Sequence, residues 1–150
     1  MAGTYTNLLF HLVFSTKERL PLIPESVEGE LHGYIGGIIR GEGGVLLEIG
    51  GVPDHVHLLA RFKADASVSM MIRKIKAPSS KWMNERPDAR ERFEWQGGYG
   101  AFSVSESRVP AVRRYLRNQK EHHKRTSFKD ELISLFTAHG VQYDERYLLG

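Results

Sequence analysis

Apolar positions along this chain follow two periods that alternate with each other. Leu8 to Ser15 is a β-rich apolar run, the pattern of a strand. Pro21 and Pro24 break the chain, and Glu25 to Arg40 then sets Val27, Leu31, Tyr34, Ile35 and Ile38 at helical spacing. Gly41-Glu42-Gly43-Gly44 ends that helix. Val45 to Ile49 and Val56 to Phe62 read as two strands joined through Gly50-Gly51-Val52-Pro53-Asp54 as a hairpin. Ser67 to Asn84 is a second helix, in which Pro78 predicts a bend or interruption. Phe93 to Val104 is a glycine-rich final strand whose aromatics either stack on unpaired bases or pack a core.

Two helical patterns follow. Ser107 to Arg125 is amphipathic, with Ser107 as N-cap and Pro110 in the first turn, so it begins near 108 or 109. Val109, Val112 and Leu116 share one side; Tyr115 and Gln119, one turn apart, are predicted to face outward together. Phe128 to Ala138 forms a last short helix. The order β-α-β-β-α-β is that of a ferredoxin-like α+β sheet with helices on one face, leaving the other face open to the 108–125 helix of its own chain or of a partner. No repeat, linker or low-complexity segment divides residues 1–150, which read as a single domain with one core.

Charge sharpens this picture. The chain is only +3 overall, yet its 108–125 helix carries Arg113, Arg114, Arg117, Lys120, Lys124 and Arg125 against Glu121. Without a long apolar face or a lipidation signal, phosphate backbone is a better partner than membrane for such a stripe. Arg73 and Lys74, with Lys76 and Lys81, give the second helix a weaker basic character and make it a further DNA-contact candidate. The Gly41–Gly44 run is no P-loop, because no Lys-Ser or Lys-Thr follows it. There is no cysteine, no signal-peptide pattern at the N-terminus and no apolar stretch of bilayer length, so a cytoplasmic protein is expected.

The chemistry-bearing residues are few. On a strand, His55 and His57 project from one face while Val56 and Leu58 take the other. Two imidazoles so placed can chelate a divalent cation, or they can be a solvent-facing or structural pair. Tyr115 is either a ring at the core edge or, among cations that would stabilise its phenolate, a nucleophile toward a phosphodiester. His122 and His123 suit a helix C-terminus touching phosphate, and His122, two turns beyond Tyr115 on the same stripe, could instead approach the metal or DNA; His11 and His32 read as structural, His139 as a helix end, and Tyr143 and Tyr147 as packing residues.

Taken together, His11–Lys17, Gly50–Leu59, Trp95–Ser105, Tyr115–His123 and Tyr143–Leu148 resemble, in that order, the single-tyrosine HUH transposases, including TnpA-type insertion-sequence enzymes and REP-associated tyrosine transposases. The resemblance implies that His55, His57 and Gln119 hold Mg2+ or Mn2+. It also implies that Tyr115 attacks single-stranded DNA beside a hairpin, giving a 5′-phosphotyrosine and a free 3′-hydroxyl that a second strand later rejoins. It further implies a homodimer with composite active sites; independently of it, the basic stripe makes Arg113, Arg114, Arg117, Lys120 and Lys124 candidate DNA contacts. Other readings fit the same residues: a domesticated repeat-processing endonuclease of this family, a non-catalytic single-stranded nucleic-acid binding module, or a metal-dependent hydrolase using water.

Overall fold

The computed structural model describes residues 3–148; Met1, Ala2, Leu149 and Gly150 lie outside the described residues. Four antiparallel strands, β1 (Leu8–Ser15), β2 (Val45–Val52), β3 (His55–Phe62) and β4 (Gly100–Val104), form one sheet in the order β2-β3-β1-β4. α1 (Glu25–Gly41) and α2 (Val68–Glu85) complete the ferredoxin-like β-α-β-β-α-β order, and α3 (Val109–Arg117), α4 (Gln119–His122) and α5 (Phe128–His139) follow it.

The two-residue period of the strands divides the molecule. Leu12 and Phe14 of β1 and Val56, Leu58, Ala60 and Phe62 of β3 enter the main core with Leu31, Ile35 and Ile39 of α1 and Met71, Ile72 and Ile75 of α2. The opposite face turns His11, Val13, His55 and His57 toward α3, α4 and α5. Val13 and Phe102 pack there with Phe128 and Leu132 in a second, smaller cluster.

Four local expectations need correction. The β2–β3 strands run on to Val52 and restart at His55, so the turn is only Pro53-Asp54. The last strand shrinks to Gly100–Val104; before it, Trp95 keeps an isolated bridge to Thr16, and the glycine loop 97–99 separates this bridge from the strand, while Phe93 packs edge-on against Trp95 and Trp95 against Phe14, each pair at 4.8 Å. α2 runs through Pro78 without stopping; packing of Ile75, Ser79 and Met83 outweighs the lost amide, and Ser79 Oγ donates to Ile75 O at 2.6 Å. The basic helix is not continuous. Glu106–Arg108 forms a short 3-10 segment, Arg108 rather than Ser107 stands at the N-cap position of α3, without a side-chain capping bond, and Asn118 at φ −96°, ψ 18° divides α3 from α4. α5 starts and stops where local chemistry dictates: Ser127 accepts from Asp130 N, and Gly140 takes the left-handed φ of 66°.

Candidate active site

The imidazole pair is set by strand register. β1 pairs Ser15 with His55 and Val13 with His57, so both rings stand on the face away from the main core. His11, two residues from Val13 on the same side of β1, brings its Nε2 to 2.8 Å from Nδ1 of His57. Asp54 Oδ1 lies 2.7 Å from Nδ1 of His55. Each partner engages the outer ring nitrogen and leaves Nε2 aimed inward, the arrangement that orients imidazoles toward a common ligand.

The covering helices come close because of one glycine. A Cβ on Gly50 of β2 would lie 1.9 Å from the carbonyl oxygen of Leu116, so only glycine lets α3 settle on the strand at that crossing. Fully buried Leu116 anchors the helix. Tyr115 and Gln119 therefore point inward, not outward as the stripe predicted: Gln119 is 1% exposed and Tyr115 is half-buried. The outward reading fails because it took the apolar residues of α3 alone as the packed side, whereas the surface beneath it is itself polar.

Everything converges on Glu131 of α5. Its Oε1 lies 2.9 Å from His57 Nε2, 3.0 Å from His123 Nε2 and 3.4 Å from His55 Nε2. Its Oε2 accepts from Gln119 Nε2 at 3.0 Å and from the Tyr115 hydroxyl. Gln119 Oε1 is 3.2 Å from His55 Nε2. One ligand atom from each of His55, His57, His123 and Glu131 falls within 4.8 Å of every other. The group could hold a divalent ion, with Gln119 beside it.

Its electrostatics follow from burial in a cluster of mixed charge. Burial opposes the charged form of Glu131, but hydrogen bonds from His123, His55 and His57 outweigh it and hold the carboxyl far below the usual range. His57 is pushed down to about 4 and His11 to about 3, in both cases chiefly by burial. Burial also lowers His55, yet its bonds to Asp54 and Glu131 prevail and its pKa is raised. Burial and the Glu131 carboxylate push the Tyr115 phenol well above its ordinary value. The expectation that neighbouring cations stabilise the phenolate is thus corrected, since the charge against the hydroxyl is negative.

Those cations lie elsewhere. Arg113 Nε and Arg117 NH2 both reach Glu48 Oε1, at 3.1 and 3.0 Å. Lys120 pairs with Glu28 at 2.6 Å and Lys124 with Glu121 at 2.9 Å, while Arg114 is exposed. Arg73 and Lys74 lie on α2, across the sheet from the histidines, where Lys74 pairs with Glu42 at 3.0 Å. The structure brings together His55, His57, Tyr115 and Gln119 and separates Arg73 and Lys74 from them. It adds His11, Asp54, His123 and Glu131. His123 was signalled by its place one turn after Gln119; Glu131 carries no such mark, because an acid in the first turn of a helix is expected on dipole grounds alone.

The family model for IS200-like transposases matches residues 4–119, and the chain belongs to that family. His55, His57, Tyr115 and Gln119 fall inside the matched span; His123 and Glu131 fall beyond it. A crystal structure of a candidate transposase from Deinococcus radiodurans R1 is similar at a TM-score of 0.62 and 24% identity, covering 79% of this chain and 95% of that one. A REP-associated tyrosine transposase bound to a REP hairpin is similar at a TM-score of 0.58 and 13% identity, covering 77% of this chain and 68% of that one. At these identities the likeness is one of fold. No curated protein matches the chain. Among the described residues, no helix is long and apolar enough to cross a membrane.

Proposed function

We propose that this transposase cleaves and rejoins single-stranded DNA with Tyr115 as nucleophile. The observation that carries the reading is the convergence, in one chain, of the Tyr115 hydroxyl, Gln119 and three imidazoles on one buried carboxylate. The phenol oxygen forms a bond to phosphorus, the bond from phosphorus to the 3′-oxygen breaks, and the phenolic proton leaves to a base and is matched by the proton that the departing 3′-oxygen takes up as the 3′-hydroxyl forms, so the step is proton-neutral overall. One ester replaces another, so a second strand's 3′-hydroxyl can reverse the step without an external energy source.

His55 and His57, with His123, Glu131 and Gln119 alongside, would hold the divalent cation. Bound there, it would polarise the phosphate and offset the negative charge that raises the phenol. Several imidazoles with one carboxylate suit Mn2+ better than Mg2+, which prefers oxygen ligands throughout. Gln119 orients Glu131, and Asp54 and His11 fix the rings. The basic residues Arg113, Arg114, Arg117, Lys120 and Lys124 would guide the phosphate backbone, and the hairpin in the related structure supports a hairpin-bearing substrate. Arg73 and Lys74 could contact only DNA that wraps to the opposite face.

Within one chain α3 and α4 pack on the sheet and carry Tyr115 to the histidines, and we read this placement as compatible with either cis or composite sites. A homodimer that exchanged these helices would remake the same contacts between chains. A pure binding module of the RNA-recognition kind is disfavoured, since its strands present exposed aromatics, whereas here His55 and His57 are buried under α5. In this reading the whole chain acts as one domain on DNA in the cytoplasm.

The test is incubation with Mn2+ and single-stranded oligonucleotides from the DNA flanking the gene, followed by a denaturing gel and mass spectrometry. A covalent adduct at Tyr115, reduced at least ~10³-fold in Tyr115→Phe, is expected. Free 5′-phosphate product that persists in Tyr115→Phe would replace this reading with metal-dependent hydrolysis.

A further inference from the structure

Beside the histidine cluster lies a cavity of about 280 Å³ that the chemistry above does not use. It opens between the N-terminal side of β4, α5 and the segment after α5. Ser15, which lines it, is the register partner of His55. Phe128 is a shared wall: its ring stacks on His55 with centroids 4.2 Å apart and planes at 24°, and it also lines the cavity. The cavity and the histidine cluster thus lie on either side of the Phe128 ring.

The lining is aromatic. Tyr99 from the lead into β4, Phe128 and Phe136 from α5, and Tyr143 and Tyr147 from the last segment surround a space sized for one planar ring system, near the lower limit of ligand pockets. Tyr143 rests against Phe136 at 5.1 Å, yet 43% of it stays exposed, as does 44% of Tyr99. The expectation that Tyr143 and Tyr147 serve only to pack is therefore incomplete. The rim is also built. Lys76 Nζ donates to the carbonyls of Gln96 and Gly98 at 2.8 and 2.5 Å, which holds the Gly97-Gly98 loop. No atom lies within 4 Å of a Cβ placed at either glycine, so the loop leaves its side of the entrance clear. Arg146, whose guanidinium sits 5.4 Å from the Tyr147 ring centroid, is ion-paired at 2.7 Å with Asp144 of the lining, so the pair puts no net charge at the rim.

We propose that this cavity takes one unpaired nucleobase of the strand whose phosphate is engaged at the neighbouring histidine–tyrosine centre. Aromatic faces stack on any base. The proposal rests on the single-strand DNA reading above and assigns it a protein-borne position for one base.

The experiment uses the full chain as Tyr115→Phe, which binds without forming an adduct, and oligonucleotides from the gene's flanks carrying 2-aminopurine or an abasic residue at each position in turn. One position near the cleavage point is expected to show fluorescence quenching and, when abasic, roughly 5- to 100-fold weaker binding. Both effects should vanish on adding Tyr143→Ala or Tyr99→Ala and persist with Tyr143→Phe. A flat abasic profile, or a profile unchanged by the alanine variants, overturns the proposal. Adduct formation by the wild type with a flat profile rejects the cavity alone; position-specific quenching without any adduct rejects the tyrosine chemistry and keeps the cavity. Absence of single-strand binding overturns both.

Discussion

The two faces of the sheet are built from the same strands and serve opposite ends. On the face toward α1 and α2, Leu12, Phe14, Val56, Leu58 and Ala60 meet hydrocarbon, and the strands contribute no hydrogen-bonding side chain to that core. On the other face, His11, His55 and His57 are equally buried, but every ring is tied to a polar partner. Burying an imidazole or carboxylate is tolerable only where partners replace the lost water, so this second face is stable only as a complete network. Stability is concentrated on the first face and chemistry on the second, and a one-residue period separates them.

Gly50→Ala should break that comparison most sharply. Its new Cβ would meet the Leu116 carbonyl, displacing α3, so adduct formation should fall at least ~100-fold, while overpacking costs about 1–3 kcal/mol in chemical denaturation. A similar loss of activity in Leu58→Ala, measured on the folded fraction, would erase the distinction. Leu58→Ala should instead cost about 2–5 kcal/mol and leave the Mn2+ affinity of the folded protein unchanged.

Glu131→Gln keeps the shape but removes the charge against which three imidazoles and the phenol are arranged. Its Mn2+ affinity by calorimetry should drop roughly 10- to 100-fold. Unchanged affinity would remove Glu131 from the cation site.

The polar face should also make metal-free stability depend on pH. His57 at about 4 and His11 at about 3 lie below their unfolded value of 6.5, so the unfolded chain binds more protons between those limits. The stability associated with the neutral rings is complete above about pH 6.5 and is lost as pH falls through about 4 and then 3. Glu131, also depressed, adds a loss in the same direction below its usual carboxylate range. His55 runs the other way: its raised pKa contributes stability that is whole below 6.5 and fades as pH rises through its folded value. Urea midpoints should therefore fall on acidification from neutral pH, and a flat profile down to pH 4 would contradict the buried neutral state of His57.

The smallest effect belongs to the rim. Glu48→Gln releases Arg113 and Arg117, both partly exposed, and should change stability by no more than about 1 kcal/mol, less at high salt. Because it frees two cations for phosphate, oligonucleotide binding should tighten and its salt dependence steepen.

Much of this protein was legible along the chain because local rules govern it. The β-α-β-β-α-β order came from periodicity, as did the short last helix near Phe128–Ala138, and the shared face of His55 and His57 came from strand geometry. The inward turn of Tyr115 and Gln119 was not legible, since a helix pattern shows which residues share a side but not what lies beneath it. Glu131 was missed for the same reason: its partners are 8 to 76 residues away in sequence and no local spacing records such a meeting, whereas His123, one turn after Gln119, carried a local sign that suited a helix end equally well.

The sequence by itself determined the order of the elements, the strand faces and the family likeness, because each depends on neighbours a few residues apart. Only the tertiary structure decided that a carboxylate from α5 sits between tyrosine and histidines, and that Gly50 admits the helix carrying the phenol. Both depend on backbones distant in the chain approaching within atomic contact, and that is settled by packing rather than by pattern.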